Sequence, residues 1–219
     1  MSKQVAGIVL AAGSSSRFGS PKQLLPWRET TVINSVVHTA IETELAPVIV
    51  VLGANADQIE PGLPEGCVFV TNTMWSEGQS SSIRIGLSQL SMEVDGVLML
   101  LGDQPQINPH FCGSIVQRGL ESGKITIPYV NDRRANPVYF PKSTLKRLGE
   151  VAGDQGGRAI FSEFQVELFP WLDDCMAMDI DTPEDYEKLK ACYARSASIE
   201  NVTEEVTMAH RKMLPNDFP

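Results

Sequence analysis

Short runs of consecutive apolar residues alternate along the chain with longer stretches whose apolar residues recur every three or four positions. The runs at 5–10, 47–52 and 96–101 are typical of strands that are buried on both faces of a sheet. The stretches at 31–44 and 109–121 have helical spacing. This alternation predicts an α/β fold in which helices flank a mostly parallel sheet.

The pattern continues to residue 195, and the chain beyond it is polar and weakly patterned. We therefore expect one domain over 1–195 and a polar C-terminal extension over 196–219. Further strands are predicted at 68–70, 125–128, 136–140 and 166–169, and further helices at 56–59, 80–90, 142–151, 158–164 and 182–195.

Composition narrows the classes of partner. The 219 residues are 42% hydrophobic, which suits a globular domain with a buried core. A formal net charge of −9 argues against broad binding of nucleic acid, which needs a basic face. No apolar run approaches membrane-spanning length, and the N-terminus lacks a signal-peptide pattern. We therefore expect a cytoplasmic protein that binds neither nucleic acid nor a membrane.

The four cysteines are scattered, with no C-x-x-C pair and no dense framework. This spacing predicts free thiols in a reducing compartment and no structural zinc site.

The segment VLAAGSSSRFGSPK, residues 9–22, follows the first predicted strand. A loop poor in large side chains lets backbone N–H groups approach an anion, and Arg17 and Lys22 add positive charge. It is not a Walker A loop, because Gln23 follows the lysine, and Gly13 and Gly19 do not fit the dinucleotide fingerprint. A glycine-serine loop by itself is more often an ordinary turn, but with these cations we predict a polyphosphate site, to which Arg84 is a further candidate cation.

Two acidic segments offer candidates for holding Mg²⁺. Asp103 follows the apolar run at 96–101, where ligands of parallel sheets gather, and its carboxylate is a hard-oxygen ligand. Asp179 and Asp181 share one side of an extended segment, and either could join it. Asp181 or Thr182 could instead cap the following helix. We favour Asp181 as the second metal ligand and keep Asp179 as the alternative.

The segment TMWSEGQSSS, residues 73–82, opens a predicted helix. Its serines could simply cap that helix, or Gly78 and the free N–H groups could bind a base edge, a ribose or a phosphate.

These segments, together with LLGDQP, NPVYF, GDQGGR and DIDTPEDYEKL, occur in one order over residues 5–190. Their joint pattern resembles the MobA-like nucleotidyltransferase family, and within it the molybdenum cofactor cytidylyltransferase branch. The resemblance implies a Rossmann-like nucleotidyltransferase fold. It also implies Mg²⁺-dependent transfer of CMP from CTP to the phosphate of molybdopterin, with release of pyrophosphate.

The resemblance also implies roles for individual residues. Arg17, Lys22 and Asp103 would be catalytic, with Asp103 and Asp181 holding Mg²⁺. The nucleotide would be bound by Leu10, Ala11, Ala12, Gly13, Arg17, Lys22, Gly78, Ser82 and Asp103.

The acceptor region departs from the family pattern. Asn136 stands where the family often carries His, and Ala135 stands in place of Gly, although Asp154, Gly157 and Arg158 fit an acceptor site. The Ala-Ala-Gly start resembles the cytidylyl branch. Three alternatives stay open: a GTP-dependent guanylyltransferase, a sugar-phosphate nucleotidyltransferase and a non-catalytic protein that binds and delivers molybdenum cofactor. A molybdoenzyme could be a protein partner.

Overall fold

A computed structural model of the chain describes residues 3–90 and 93–195, and the predicted extension over 196–219 lies outside them. The described residues form an eight-stranded sheet in the order β10-β7-β9-β6-β1-β4-β5, with β8 paired to β7. The strands are β1 Val5–Ala11, β2 Pro26–Trp27, β3 Thr30–Thr31, β4 Val48–Leu52, β5 Val68–Thr71, β6 Gly96–Leu101, β7 Ile125–Val130, β8 Arg133–Arg134, β9 Val138–Pro141 and β10 Val166–Pro170. The helices are α1 Val32–Glu42, α2 Ala56–Ile59, α3 Gln79–Ser88, α4 Pro109–Ser122, α5 Lys142–Leu148 and α6 over 183–195.

The predicted α/β architecture is confirmed, with a sheet that is mainly parallel. β1 lies parallel to β4 and β6, β4 to β5, and β7 to β10. β9 runs antiparallel to both β6 and β7, and β8 runs antiparallel to β7. The carboxyl ends of β1, β4 and β6 therefore lie at one edge of the sheet.

The central strands are apolar because both of their faces are covered. Along β1, Val5, Val9 and Ala11 pack on the side of α1 and α4. Ile8 and Leu10 pack on the opposite side, with residues of α3 and α5. Each fully buried aliphatic side chain of this kind stabilises the fold by about 1.5–3 kcal/mol.

Most predicted elements are present, with shifted ends. α1 begins after Thr31, whose side chain accepts a hydrogen bond from the Asn34 N–H, and it ends at Glu42, two residues early. The helix predicted at 142–151 ends at Leu148. The helix predicted at 158–164 is wrong: a short 3-10 helix, Gly156–Ile160, lies there and begins at a glycine with φ of 55°.

The expectation of four free thiols is wrong for one pair. Cys175 and Cys192 form a disulfide, because a 3-10 helix, Asp174–Ala177, packs beside α6 and brings their Cα atoms to 5.9 Å. Cys67 and Cys112 carry free thiols. Within the described residues, no helix is both long and apolar enough to cross a membrane.

Candidate functional site

The site lies where the adjacent parallel strands β1 and β6 end. Leu10 pairs with Leu101, so the loop that follows β1 lies beside Gly102 and Asp103. The Gly102 N–H donates to the Leu10 carbonyl at 2.9 Å, which extends this pairing past the strand. Side chains from two distant parts of the sequence are thus brought to one edge.

A cavity of about 290 Å³ lies between these strand ends and the start of α3. It brings together eight of the nine residues predicted to bind the nucleotide: Leu10, Ala11, Ala12, Gly13, Lys22, Gly78, Ser82 and Asp103. Gln23, Trp75, Gln79, Leu101, Gly102 and Asp154 also line it. Their role in binding a nucleotide stays a prediction.

The loop after β1 is held in place by the buried side chain of Gln23. Its Nε2 donates to the carbonyls of Ala11 and Gly13, both at 3.4 Å, and its Oε1 accepts from the Ser15 hydroxyl at 3.1 Å. The Lys22 N–H donates to the same hydroxyl at 3.2 Å. The predicted anion loop is therefore fastened at both ends, and Lys22 begins a 3-10 helix, Lys22–Leu24, at its far end.

The Lys22 ammonium is the charged centre of the site. Its Nζ lies 2.6 Å from Asp103 Oδ2, 2.6 Å from the Ile180 carbonyl and 3.4 Å from Asp181 Oδ1. Only 13% of the lysine side chain is exposed. Two carboxylates from distant segments thus share one largely buried cation.

Arg17 lies at the rim. Its side chain is 67% exposed and one guanidinium nitrogen is 3.2 Å from Asp181 Oδ1. It is not among the residues that line the described cavity. Its predicted contact with a triphosphate therefore requires the ligand to extend past the cavity mouth.

Asp179 takes a different position from Asp181. Its Oδ1 accepts from Gln104 Nε2 at 2.7 Å. Burial, followed by the negative charges of Asp103 and Asp181, raises the pKa of Asp179 above its ordinary value. Of the two acids left open by the sequence, Asp181 is the one that shares the Lys22 ammonium with Asp103.

The donor atoms around Lys22 suit a hard divalent cation. Asp103 and Asp181 offer carboxylate oxygens, and Ile180 offers a backbone carbonyl. Among the described residues, no group of three or more His, Cys, Asp or Glu residues could hold a metal ion. Mg²⁺ is usually bound by one or two carboxylates from the protein, and its remaining ligands are substrate phosphates and water.

The start of α3 forms the opposite wall of the cavity. Asn72 Nδ2 donates to the hydroxyls of Ser81 and Ser82 at 2.8 and 2.9 Å, and the Ser81 hydroxyl is also bonded to the Gly78 carbonyl. Ser81 is therefore structural, whereas Ser82 also lines the cavity. Arg84 donates to the Val151 carbonyl and does not line the cavity, so the proposal that it adds charge to the site is not supported.

A second cavity, of about 460 Å³, adjoins the first. Leu10, Gln79, Leu101 and Asp154 line both. The larger cavity also contains Asn136, Gly157 and Arg158, which the sequence assigned to an acceptor, and Arg134, which it did not. Its other lining residues are mainly apolar: Ile83, Met99, Ile127, Ala135, Val138, Phe140 and Phe161, with Gln155.

Sequence reasoning missed lining residues that reach the site through folding. Trp75 and Gln79 belong to the WSEGQSSS segment, and Gln23 directly follows Lys22. Because they adjoin predicted site residues in the sequence, they could have been included in the predicted site. Asp154 was assigned to the acceptor and not to the nucleotide, and it comes from a loop far along the chain. That loop docks on α3 through the Ser80 N–H, which donates to the Gly153 carbonyl at 3.2 Å.

Comparison with known proteins places this geometry in a family. The purine catabolism protein PucB of Bacillus subtilis is 28% identical, covering 86% of this chain and 97% of its own length. The molybdenum cofactor cytidylyltransferase of Escherichia coli is 22% identical, covering 85% and 95%. The crystal structure of Rv0371c from Mycobacterium tuberculosis in complex with manganese has a TM-score of 0.73 and 28% identity, covering 86% of this chain and 98% of that one.

The sequence profile of the MobA-like NTP transferase domain matches residues 7–168, which include the loop after β1, Asp103 and both walls of the first cavity. The chain therefore belongs to the MobA-like NTP transferase family and is a nucleotidyltransferase.

Proposed function

We propose that the chain transfers CMP from CTP to the phosphate of a molybdopterin-type acceptor and releases pyrophosphate. The observation that carries the proposal is the Lys22 ammonium shared by Asp103 and Asp181 beside a cavity lined by the backbone of the loop after β1. The proposal is supported by the relative in Escherichia coli that is named for this reaction, and by the Ala11-Ala12-Gly13 start of the loop.

In this proposal the nucleotide occupies the smaller cavity. Backbone groups from Ala11 to Gly13 face the base on one side, and Gly78 and Ser82 face it and the ribose on the other. The triphosphate extends toward Lys22 and, past the rim, Arg17. These cations offset the charge of the phosphates.

Asp103 and Asp181 would hold Mg²⁺, which when bound supplies charge neutralisation and a fixed orientation for the phosphates. The manganese found with Rv0371c supports a divalent cation in this family. Lys22 and Arg17 add positive charge from the protein itself.

The chemistry needs little beyond positioning. An acceptor phosphate oxygen attacks the α-phosphorus, a new P–O bond forms, and the bond from the α-phosphorus to the bridging oxygen breaks as pyrophosphate leaves. A phosphate monoester is already anionic, so no general base is required. The larger cavity adjoins the nucleotide cavity and would hold the acceptor, with Arg134 and Arg158 available to its anionic groups.

The test is pyrophosphate release from each of the four nucleoside triphosphates, with Mg²⁺ and with or without the molybdopterin-type acceptor. We expect release that depends on CTP and on the acceptor, and a product whose mass equals the acceptor plus CMP. Preference for GTP would make the chain a guanylyltransferase. Binding of the acceptor with no pyrophosphate from any nucleotide would overturn the proposal in favour of a delivery protein.

A further inference from the structure

Two glutamines that the proposed reaction does not use follow β6 in the segment Gly102-Asp103-Gln104-Pro105-Gln106. Both are 1% exposed. Each has a side-chain carbonyl oxygen that is buried without a hydrogen-bond partner among the described residues. An unpaired buried polar group costs about 1–3 kcal/mol. What these glutamines do for the fold therefore depends on the partners of their amide nitrogens.

The amide nitrogens of both side chains bind the segment that leads to Asp181. Gln106 Nε2 donates to the carbonyls of Cys175 and Met178, at 3.0 and 2.7 Å. Gln104 Nε2 donates to Asp179 Oδ1 at 2.7 Å. Every partner is an oxygen that accepts, so the orientation of each amide is fixed by its partners.

These bonds determine which carboxylate faces the site. Asp179 and Asp181 are two residues apart in a segment that belongs to no helix or strand. Gln104 donates a hydrogen bond to the Asp179 carboxylate. At the next residue, the Ile180 carbonyl accepts a hydrogen bond from Lys22 Nζ. Asp181 is then the acid that meets Lys22 together with Asp103.

We propose that Gln104 and Gln106 are positioning residues that hold the 175–179 segment against the end of β6, so that Asp181 and not Asp179 joins Asp103 in the metal site. This inference rests on the proposed function, because the site it organises is the one that would hold the metal with the nucleotide. Neither glutamine touches the reacting atoms, and both act through the segment that they bind.

The experiment measures the affinity of the chain for Mn²⁺ in the presence of CTP, by electron paramagnetic resonance, alongside the melting temperature. Gln104→Met and Gln106→Met keep the length of the side chain and remove its donors. We expect each to weaken Mn²⁺ binding by about 10–100-fold, the usual cost of removing a group that orients a metal ligand. Gln117→Met, on the exposed face of α4, is the matched control and should bind Mn²⁺ like the unaltered chain.

A conservative pair of variants separates positioning from direct ligation. Asp179→Asn keeps an oxygen that accepts from Gln104, so Mn²⁺ affinity should stay near that of the unaltered chain. Asp181→Asn should lose at least as much affinity as Gln104→Met. A loss in Asp179→Asn as large as that in Asp181→Asn would show that Asp179 is itself a ligand and would overturn the inference.

The result is distinguishable from failure of the proposed function. Unaltered Mn²⁺ affinity in both glutamine variants, in a chain that transfers CMP, refutes the positioning role alone. Weakened Mn²⁺ affinity in these variants, in a chain that transfers no nucleotide to the acceptor, supports the positioning role while refuting the transfer. A chain that binds no Mn²⁺ with CTP overturns both.

Discussion

At the scale of single residues, Lys22 is the group on which the site depends. It brings two carboxylates from distant segments to one nitrogen, and it is largely buried at the mouth of the cavity. In the proposed function its ammonium also faces the triphosphate. Its removal should therefore damage catalysis far more than folding.

We expect Lys22→Met to lower the rate of nucleotidyl transfer by about 10²–10³-fold, the typical effect of removing one preorganised electrostatic group. Lys146→Met, on the exposed surface of α5, should leave the rate unchanged. Initial rates of pyrophosphate release check both variants. A Lys22→Met chain that turns over like the control would refute the catalytic role of this lysine.

The free thiols differ in a way that chemical labelling can detect. Burial raises the pKa of the Cys112 thiol to about 12, and it also raises the pKa of the half-buried Cys67. A raised pKa lowers the thiolate fraction at pH 8, and thiolate is the reactive form. Iodoacetamide should therefore modify Cys67 slowly and Cys112 only after unfolding, as peptide mass spectrometry would show. Equal labelling of both in the folded chain would contradict the packing of α4.

Asp103 and the residues from Leu10 to Gly13 could be predicted as neighbours because they end or closely follow two buried strands. Lys22 could be added because it belongs to the loop segment that follows the first of these strands. Gln104 directly follows Asp103 in the sequence, but its partner Asp179 is 75 residues away. The hydrogen bond between them could therefore not be predicted from the sequence. Asp154 was assigned to the acceptor, yet it lines both cavities because its loop docks on α3.

At the scale of elements, the start of α3 and the loop at 153–157 form one wall. Gly78 has φ of 101°, and a Cβ there would lie 2.8 Å from the Gly153 carbonyl carbon and closer still to Asp154 Oδ1. Only glycine allows this close approach without moving the loop.

Gly78→Ala should therefore displace the loop, lower the melting temperature and weaken binding of CTP. Gly113→Ala in α4 is the control, because its Cβ would meet nothing within 4 Å and alanine favours the helix by up to about 1 kcal/mol. Thermal denaturation and calorimetric titration with CTP would distinguish the two. Unchanged CTP affinity in Gly78→Ala would show that this wall does not shape the nucleotide site.

The elements that could be predicted are those with a strong local pattern. β1, β4 and β6 are continuous apolar runs because both faces of each are covered. The hairpin of β2 and β3 was missed because each strand has two residues, too few for an alternating pattern. The antiparallel direction of β9 was also missed, since it is set by pairing with β6 and not by its own sequence.

At the scale of the whole molecule, the core between the sheet and helices α1 and α4 stabilises the strands whose carboxyl ends form the site. Phe111 is fully buried in it and contacts Trp171, with ring centroids 4.7 Å apart. The disulfide between Cys175 and Cys192 was not predictable, because it depends on α6 packing beside the segment that leads to Asp181.

Phe111→Ala should lower the free energy of unfolding by about 3–5 kcal/mol, the usual cost of emptying a buried aromatic position. Leu172→Ala removes a side chain that is 97% exposed and should change it by less than about 0.5 kcal/mol. Urea denaturation measures both. Equal stability of the two variants would contradict the core described above.

The central claim is that the ends of β1 and β6 and the segment before α6 form one metal and nucleotide site. Anomalous diffraction from crystals of the chain grown with CTP and Mn²⁺ tests it most directly. We predict manganese within about 2.5 Å of carboxylate oxygens of both Asp103 and Asp181, with the triphosphate against Lys22 and Asp179 still bound to Gln104. Manganese bound away from Asp103, or CTP outside the cavity formed by Gly13, Gly78 and Ser82, would contradict the account.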